Sequence, residues 1–417
     1  MSAATPTPAP FNAVASLLQG PLLENPYPIY AGLRASQPVF QVPVPFDVGA
    51  GVFVLTRYAD VQQVLRDPRL SVDRRRSDAL SRNIDRLPAQ LFGEESLFRS
   101  MLMMDAPDHT RVRGLVNKAF TPRRVAELRP HVEAIAKALL AGPAAAGRLD
   151  VIAELGAPLP AIVIAELLGV PAEDHAKFRT WAAQIVATPL TLATGAESLR
   201  QGFESLNEYL RGVIAARRKA PQNDLISALV AAQDEREALS DGELLATAVL
   251  LLVAGHETTT NLIGNGTLAL LQHPAELARV RAEPELLKSA IEEMLRFDSP
   301  VQGTVRVALE DVEIGGARFA KGALLIAAIG AANRDPAAFP EPDRFDVERR
   351  DNHHLSFGFG AHFCLGAPLA RMEGEVAFRA LFEAFPKPAL SGAPIAHRPN
   401  PILRGLQALE VVSASPS

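Results

Sequence analysis

The sequence predicts a mainly α protein with minor β sheets, and three observations carry that prediction. Helical periodicity runs almost without a break from residue 121 to residue 240, interrupted only by turns that bear Pro or Gly. One apolar helix of unusual length follows, over residues 240–272. Strand-like runs are short and cluster outside this helical middle, at 38–44, 51–57, 304–308, 312–314 and 323–328. No repeat or low-complexity linker divides the chain, so residues 1–417 are expected to form one domain, with residues 1–20 a flexible N-terminus.

Composition narrows the function classes. The 417 residues are 48% hydrophobic and 21% charged, enough to bury a sizeable core. The net charge of −5 gives no basic bias toward nucleic acid, and none is expected as a partner. A single cysteine rules out an intramolecular disulfide framework and fits a reducing cytoplasm. The first 20 residues lack a basic start and a long apolar run, and residues 244–255 are too short to span a bilayer, so a cytoplasmic protein without a membrane anchor is expected.

Taken in order, residues 26–33 open a short helix, the first two strand-like runs follow, and residues 60–67 read as a helix. Residues 71–98, rich in Arg and Ser, read as a long loop of the kind that often forms lids or binding elements. Pro107 then suits a helix start, and His109 and Arg113, four apart, share one helical face. Alone, that pair reads as a solvated face. Helices are expected over 122–140, 156–168, 173–186, 197–219 and 224–233.

The long helix begins at a capping box, Ser240 with Glu243 three residues on. Its middle, Ala254-Gly255-His256-Glu257-Thr258-Thr259-Thr260, places a glycine, an acid and three β-branched residues where good helix formers belong. The glycine alone costs about 1 kcal/mol, and such local conflict is the mark of a functional site. Thr258 lies four residues after Ala254, so its hydroxyl can bond to that carbonyl and open the helical ladder locally. Two other patterns mislead. His256-Glu257 begins like a zinc site, but Thr260 stands where the second histidine belongs, and Gly264 and Gly266 lie inside a helix without the preceding strand a dinucleotide fingerprint requires.

Downstream, Glu293 and Arg296 share a helical face. The one cysteine, Cys364, sits in Phe357-Gly358-Phe359-Gly360-Ala361-His362-Phe363-Cys364-Leu365-Gly366, just before a helix over 367–385. A helix start offers unpaired N–H groups and a positive dipole end that favour a thiolate. Gly358, Gly360 and Gly366 let backbone approach closely.

This loop resembles the haem-binding loop of the cytochromes P450, Phe-x-x-Gly-x-His/Arg-x-Cys-x-Gly, at Phe357, Gly360, His362, Cys364 and Gly366. Ala254 to Thr259 resembles the family's central-helix pattern Ala/Gly-Gly-x-Asp/Glu-Thr-Thr, and the resemblance extends from Tyr27 to about Val412. It implies a cytochrome P450 fold with haem b (iron protoporphyrin IX) as cofactor. Cys364 would be the proximal ligand of the iron. Haem-binding roles carry over to His109, Arg113, Ala254, Arg306, Phe357, Gly358, His362 and Gly366, with His109, Arg113, Arg306 and His362 at the propionates. Glu293, Arg296 and Arg344 would form a bracing triad. Glu257 would relay protons from solvent and Thr258 would support their delivery to dioxygen, which makes water the leaving group.

By the same analogy the substrate pocket draws on Leu91, Phe92, Leu250, Val253, Val301, Gln302, Ile402 and Leu403, mostly apolar residues that favour a lipophilic substrate. Fatty acids, terpenoids, steroids and polyketides stay open, and Gln302 or Arg404 is a candidate to orient a polar group. With no nicotinamide or flavin domain apparent, electrons are expected from a ferredoxin or flavodoxin and its NAD(P)H-dependent reductase. Arg111, Lys118, Arg123 and Arg124 are candidates to meet the acidic carrier. A monomeric monooxygenase is the leading expectation. A hydrogen-peroxide-dependent peroxygenase is the alternative, disfavoured because peroxide brings the oxygen and protons that Glu257 and Thr258 would supply. A haem gas sensor is the non-enzymatic one.

Overall fold

The computed structural model describes residues 21–43, 49–77, 99–187, 196–231 and 239–413. The expected flexible N-terminus, most of the 71–98 loop, and Leu91 and Phe92 within it lie outside these residues. Helices of seven or more residues are α1 Tyr27–Ser36, α2 Tyr58–Arg66, α3 Asp108–Ala119, α4 Pro122–Ala146, α5 Pro158–Leu167, α6 His175–Ala187, α7 Ala196–Lys219, α8 Leu225–Ala231, α9 Asp241–Gln272, α10 Pro274–Ala282, α11 Leu287–Phe297 and α12 Ala367–Ala384. A mainly helical protein with small sheets is what the chain forms.

Most boundaries lie within three residues of the sequence expectation, and α4 departs furthest. It passes through Pro130 and Pro143 and runs to Ala146, six residues beyond the expected end. The Ala-rich last turn tolerates one missing hydrogen bond, and the helix stops where Gly147 takes a left-handed φ of 67°. At its start the Thr121 hydroxyl accepts from the Arg124 N–H at 3.3 Å.

The larger sheet has the order β1 Val39–Val42, β2 Val52–Leu55, β8 Leu324–Ala327, β5 Thr304–Ala308, β3 Leu70–Ser71, antiparallel throughout except where β2 runs parallel to β8. A second sheet sets β10 Glu410–Ser413 between β4 Arg148–Asp150 and β9 Pro388–Leu390, and β6 Val312–Ile314 pairs with β7 Ala317–Phe319. Strands β3, β4, β7 and β9, two or three residues each, carry too little pattern to be read from sequence.

The helix α9 runs through the core, packed on α5, α12, α11 and the π-turn Val151–Gly156. Its capping box forms as expected, with Glu243 N–H to Ser240 Oγ at 3.2 Å and Ser240 N–H to Glu243 Oε2 at 2.8 Å. Gly264 and Gly266 are packing residues: a Cβ at 266 would come within 2.6 Å of Met294 Sδ and 2.8 Å of Phe378. Against α9 lies Glu373 of α12, a fully buried carboxyl that bonds to Thr259 and whose pKa burial pushes up to about 8.

The brace around α11 differs from expectation in one member. Arg296 and Glu293 are both 0% exposed and bond bidentately at 2.7 and 2.8 Å. The guanidinium also donates to the carbonyls of Asn333 at 2.9 Å, Pro342 at 2.8 Å and Arg344 at 3.1 Å. The third charged arm is Arg349, whose Nε lies 3.1 Å from Glu293 Oε2. Arg344 contributes only its carbonyl, which accepts from Arg349 as well, while its half-exposed side chain turns to Glu341 and Asp346. The physical reason is reach: Arg296 and Arg349 both hold the Arg344 carbonyl inward, which leaves that residue's side chain facing solvent.

Two stability predictions follow from these buried charges. Arg349→Ala should cost about 3 kcal/mol, because Glu293 is left partly uncompensated in the interior, and Arg344→Ala under about 1 kcal/mol; denaturant unfolding of the two variants checks the ranking. For Glu373 the folded pKa stands above the unfolded one, so the folded protein holds a proton the unfolded chain releases, and stability falls as pH rises from about 4.5 toward about 8. Glu373→Gln should remove that slope, and its melting-temperature advantage over the parent should be larger at pH 8 than at pH 5.

Candidate functional site

The cysteine loop is held from three sides. Glu292 on α11 binds Arg371 of α12 bidentately at 2.7 Å, and it also contacts His354 at 3.1 Å; despite its burial, these two partners hold the carboxyl down to about 2. Arg371 in turn stacks on the Phe357 ring, 4.5 Å from its centroid. Within the loop, Cys364 N–H donates to the Phe357 carbonyl at 2.8 Å and Phe363 N–H to that of Gly360 at 3.1 Å. From α3, Arg113 Nη2 donates to the Phe363 carbonyl at 2.6 Å.

Gly358 and Gly360 adopt φ of 73° and 75°, the left-handed region where glycine is favoured. A Cβ at Gly360 would also press on the Arg66 backbone at 3.3 Å. Gly366 differs. Its φ is −78°, and a Cβ there would meet only Cys364 Sγ at an ordinary 3.9 Å, so the protein's own packing does not demand a glycine. Cys364 keeps an accessible face. Desolvation by the protein packed around the rest of it pushes its thiol pKa up. The N–H groups of Gly366 and Ala367 and the charges of Arg113 and Arg371 pull toward the thiolate.

Beside this loop the fold gathers positive charge. The rings of His109 and His362 stack at 4.1 Å between centroids. Among the described residues, buried Arg306 on β5 bonds only to Thr304 Oγ1 at 3.2 Å and its neighbour's carbonyl at 3.0 Å. Arg74, which the sequence reading did not single out, has a buried Nε without a partner among the described residues, and His109 Nε2 is likewise unpartnered there. None of Arg74, His109, Arg113, Arg306 and His362 has a carboxylate within 4.0 Å among the described residues. Burial first, then mutual repulsion, lowers Arg306 to about 10 and His362 to about 3, and burial and Arg113 lower His109. An uncompensated cluster of this kind is matched to an anionic ligand with several acceptor oxygens.

On α9, Thr258 Oγ1 donates to the Ala254 carbonyl at 3.0 Å, the bond expected from their spacing, yet the helix continues unbroken through this stretch. Ala254 is exposed, Thr258 and Val253 are half-buried, and Leu250 is buried one turn before. Glu257 points to another face: it is buried and paired with Arg398 of the C-terminal region, a partner the sequence reading missed because it lies 141 residues away. His256 is buried, bonds through Nδ1 to the Leu252 carbonyl at 3.1 Å, and burial lowers its pKa.

Among the expected pocket residues, the fold brings Val301 and Leu403 together in an antiparallel bridge and bonds Gln302 N–H to the Ile402 carbonyl at 2.8 Å. It turns two polar candidates away. The Gln302 amide is buried against Ser299, donating to its carbonyl at 2.8 Å. The Arg404 guanidinium is committed to Asp298 at 2.6 Å and to the carbonyls of Leu23 and Glu24. Arg111, a candidate for the electron carrier, is likewise tied to Glu243, and Arg123 to Glu127.

Comparison with known proteins agrees with this geometry. A cytochrome P450 family model matches residues 192–388. Vitamin D(3) 25-hydroxylase of Pseudonocardia autotrophica is 43% identical over 399 residues, 95% of each chain. The chain belongs to the cytochrome P450 family. The polyketide biosynthesis cytochrome P450 PksS of Bacillus subtilis strain 168 is 40% identical over 93% of this chain and 95% of that one. Among solved structures, the myxobacterial cytochrome P450 CYP267B1 in complex with myristic acid superposes with a TM-score of 0.88 at 41% identity, covering 97% of this P450 and 100% of the other. A P450 is a haem-dependent monooxygenase, and the residues present fit that group: an accessible sulfur, a glycine at 366 that leaves room beside it, and a cation cluster with orphaned donors to one side.

Arg306→Leu should therefore lower the haem retained per purified chain several-fold, read as the ratio of Soret to protein absorbance, with Arg306→Lys in between. Equal haem content in all three proteins would remove Arg306 from the haem-binding set.

Proposed function

We propose that this P450 inserts one atom of dioxygen into a lipophilic small molecule, a fatty acid, terpenoid, steroid or polyketide. Two electrons would come from a ferredoxin or flavodoxin reduced by an NAD(P)H-dependent reductase. The balance is a substrate C–H or C=C bond, dioxygen, two electrons and two protons going to C–OH or an epoxide, and water. The protein acts as a cytoplasmic monomer with haem b held by the single domain. When bound, haem supplies the iron that activates dioxygen, with the Cys364 thiolate as its proximal donor.

The chain's own residues do the rest. Arg74, His109, Arg113, Arg306 and His362 hold the propionates, and Arg113 also fixes the Phe363 carbonyl beside Cys364. The Ala254 carbonyl orients the Thr258 hydroxyl on the accessible face of α9, and Glu257, adjacent in sequence and buried behind it, relays protons from solvent. Leu250, Val253, Val301 and Leu403 offer apolar surface to the substrate. The names of the relatives, spanning a vitamin D(3) hydroxylase, polyketide biosynthesis and a myristic acid complex, support a lipophilic one. No helix among the described residues is long and apolar enough to cross a membrane.

The observation that carries the dioxygen reading is this acid–alcohol pair, which a peroxide-driven enzyme does not need. Thr258→Ala should cut product per electron pair several-fold with a matching rise in released peroxide, while peroxide-driven turnover falls far less. Product and peroxide yields equal to the parent's would overturn it.

A further inference from the structure

Beside the Thr258 face, α9 carries a second polar stripe, Glu257, Asn261 and Asn265, at four-residue spacing and with relative exposures of 6%, 0% and 2%. All three meet the C-terminal turn, residues 396–407. Glu257 pairs with Arg398. Asn265 Nδ2 donates to the Arg404 carbonyl at 3.0 Å. Between them Gly405 lies so close to the Asn261 amide that a side chain at 405 has no room.

The turn that presents Arg398 is well fixed. Arg398 N–H donates to the Gly405 carbonyl at 2.9 Å, and Asn400 Oδ1 accepts from the N–H groups of Ile402 and Leu403 at 3.0 Å each. The Arg398 side chain is 30% exposed and lines a small cleft of mixed polarity with Leu23, Tyr30, His397, Asn400 and Arg404. Glu257, by contrast, has almost no surface of its own. Among the described residues, both polar atoms of the Asn261 side chain lack a partner, and so does Nε2 of His397. Orphaned donors and acceptors of this kind are sites for ordered water.

We propose that Arg398 is the positioning residue of the proton relay, and that protons reach Glu257 from the cleft beneath the C-terminal turn. Arg398 lies between the buried acid and this cleft. A guanidinium stays protonated and cannot itself hand on a proton, so its role is to hold the carboxylate in place and admit water beside it. The same turn carries Ile402 and Leu403, so the relay's anchor and the proposed substrate contacts sit on one rigid element. The inference rests on the reading of Glu257 as the relay acid.

The test uses the haem-loaded protein with its reductase system and variants at Arg398 and Glu257, singly and together. Arg398→Ala should lower product per electron pair several-fold, raise peroxide release and enlarge the deuterium-oxide effect on turnover, while the midpoint of a substrate spin-state titration stays within about twofold. Arg398→Lys should restore most of the coupling. A readout independent of turnover is a thermal-unfolding double-mutant cycle, in which Arg398→Ala and Glu257→Ala should be non-additive. If Glu257→Gln uncouples the enzyme and Arg398→Ala does not, the role of Arg398 is wrong and the relay stands. If Glu257→Gln couples like the parent, the relay reading itself falls and this inference with it. Uncoupling in Arg398→Ala that Lys fails to rescue, with an additive cycle, would mark Arg398 as merely structural and overturn the proposal. Should Arg398→Ala not fold, Arg398→Gln, which keeps much of the side chain's length without its charge, is read in its place.

Discussion

Two adjacent carboxylates on α11 hold the cysteine side of this protein in place. Glu293, wholly buried, gathers Arg296, Arg349 and the Asp346 N–H, and through Arg296 it fixes the carbonyls of Asn333, Pro342 and Arg344. Glu292, one residue earlier, reaches the other way to Arg371, whose guanidinium caps the Phe357 ring at the start of the cysteine loop. A buried charge is costly unless fully compensated, so such a web contributes less to net stability than to uniqueness of placement. Here that uniqueness has a use: the sulfur must sit at one defined height above α12.

The opposite constraint operates at the cation cluster. Arg74, Arg306, His109, Arg113 and His362 are brought together without a carboxylate among the described residues to match them, and burial and repulsion disfavour the charged form of Arg306 and of both histidines. A fold that fully compensates Glu293 but leaves this group unmatched is built to receive negative charge from a ligand. That asymmetry is the electrostatic counterpart of the open face at Cys364.

Helix α9 reconciles three demands on successive faces. Gly264 permits close packing against Ile152 of the π-turn and Gly266 against α11 and α12, Ala254 and Thr258 stay on an accessible face, and Glu257, Asn261 and Asn265 meet the C-terminal turn. Residues with poor helix propensity are tolerated because tertiary contacts on every side hold the helix. The same logic explains why Thr258 can bond to the Ala254 carbonyl without breaking the ladder.

By itself the sequence determined the local facts: the capped start of α9, the helical middle, the loop around Cys364 and the bond from Thr258 to the carbonyl four residues earlier. Each depends on spacing along a few turns, which chain connectivity preserves. Only the tertiary structure decided which distant groups meet. It put Arg349 rather than the side chain of Arg344 on Glu293, turned Gln302 and Arg404 inward onto Ser299 and Asp298, added Arg74 to the cation cluster and set Arg398 against Glu257. An arginine's partner depends on where a flexible, roughly 7 Å side chain ends after dozens of backbone turns have been placed. No local pattern in the chain encodes that.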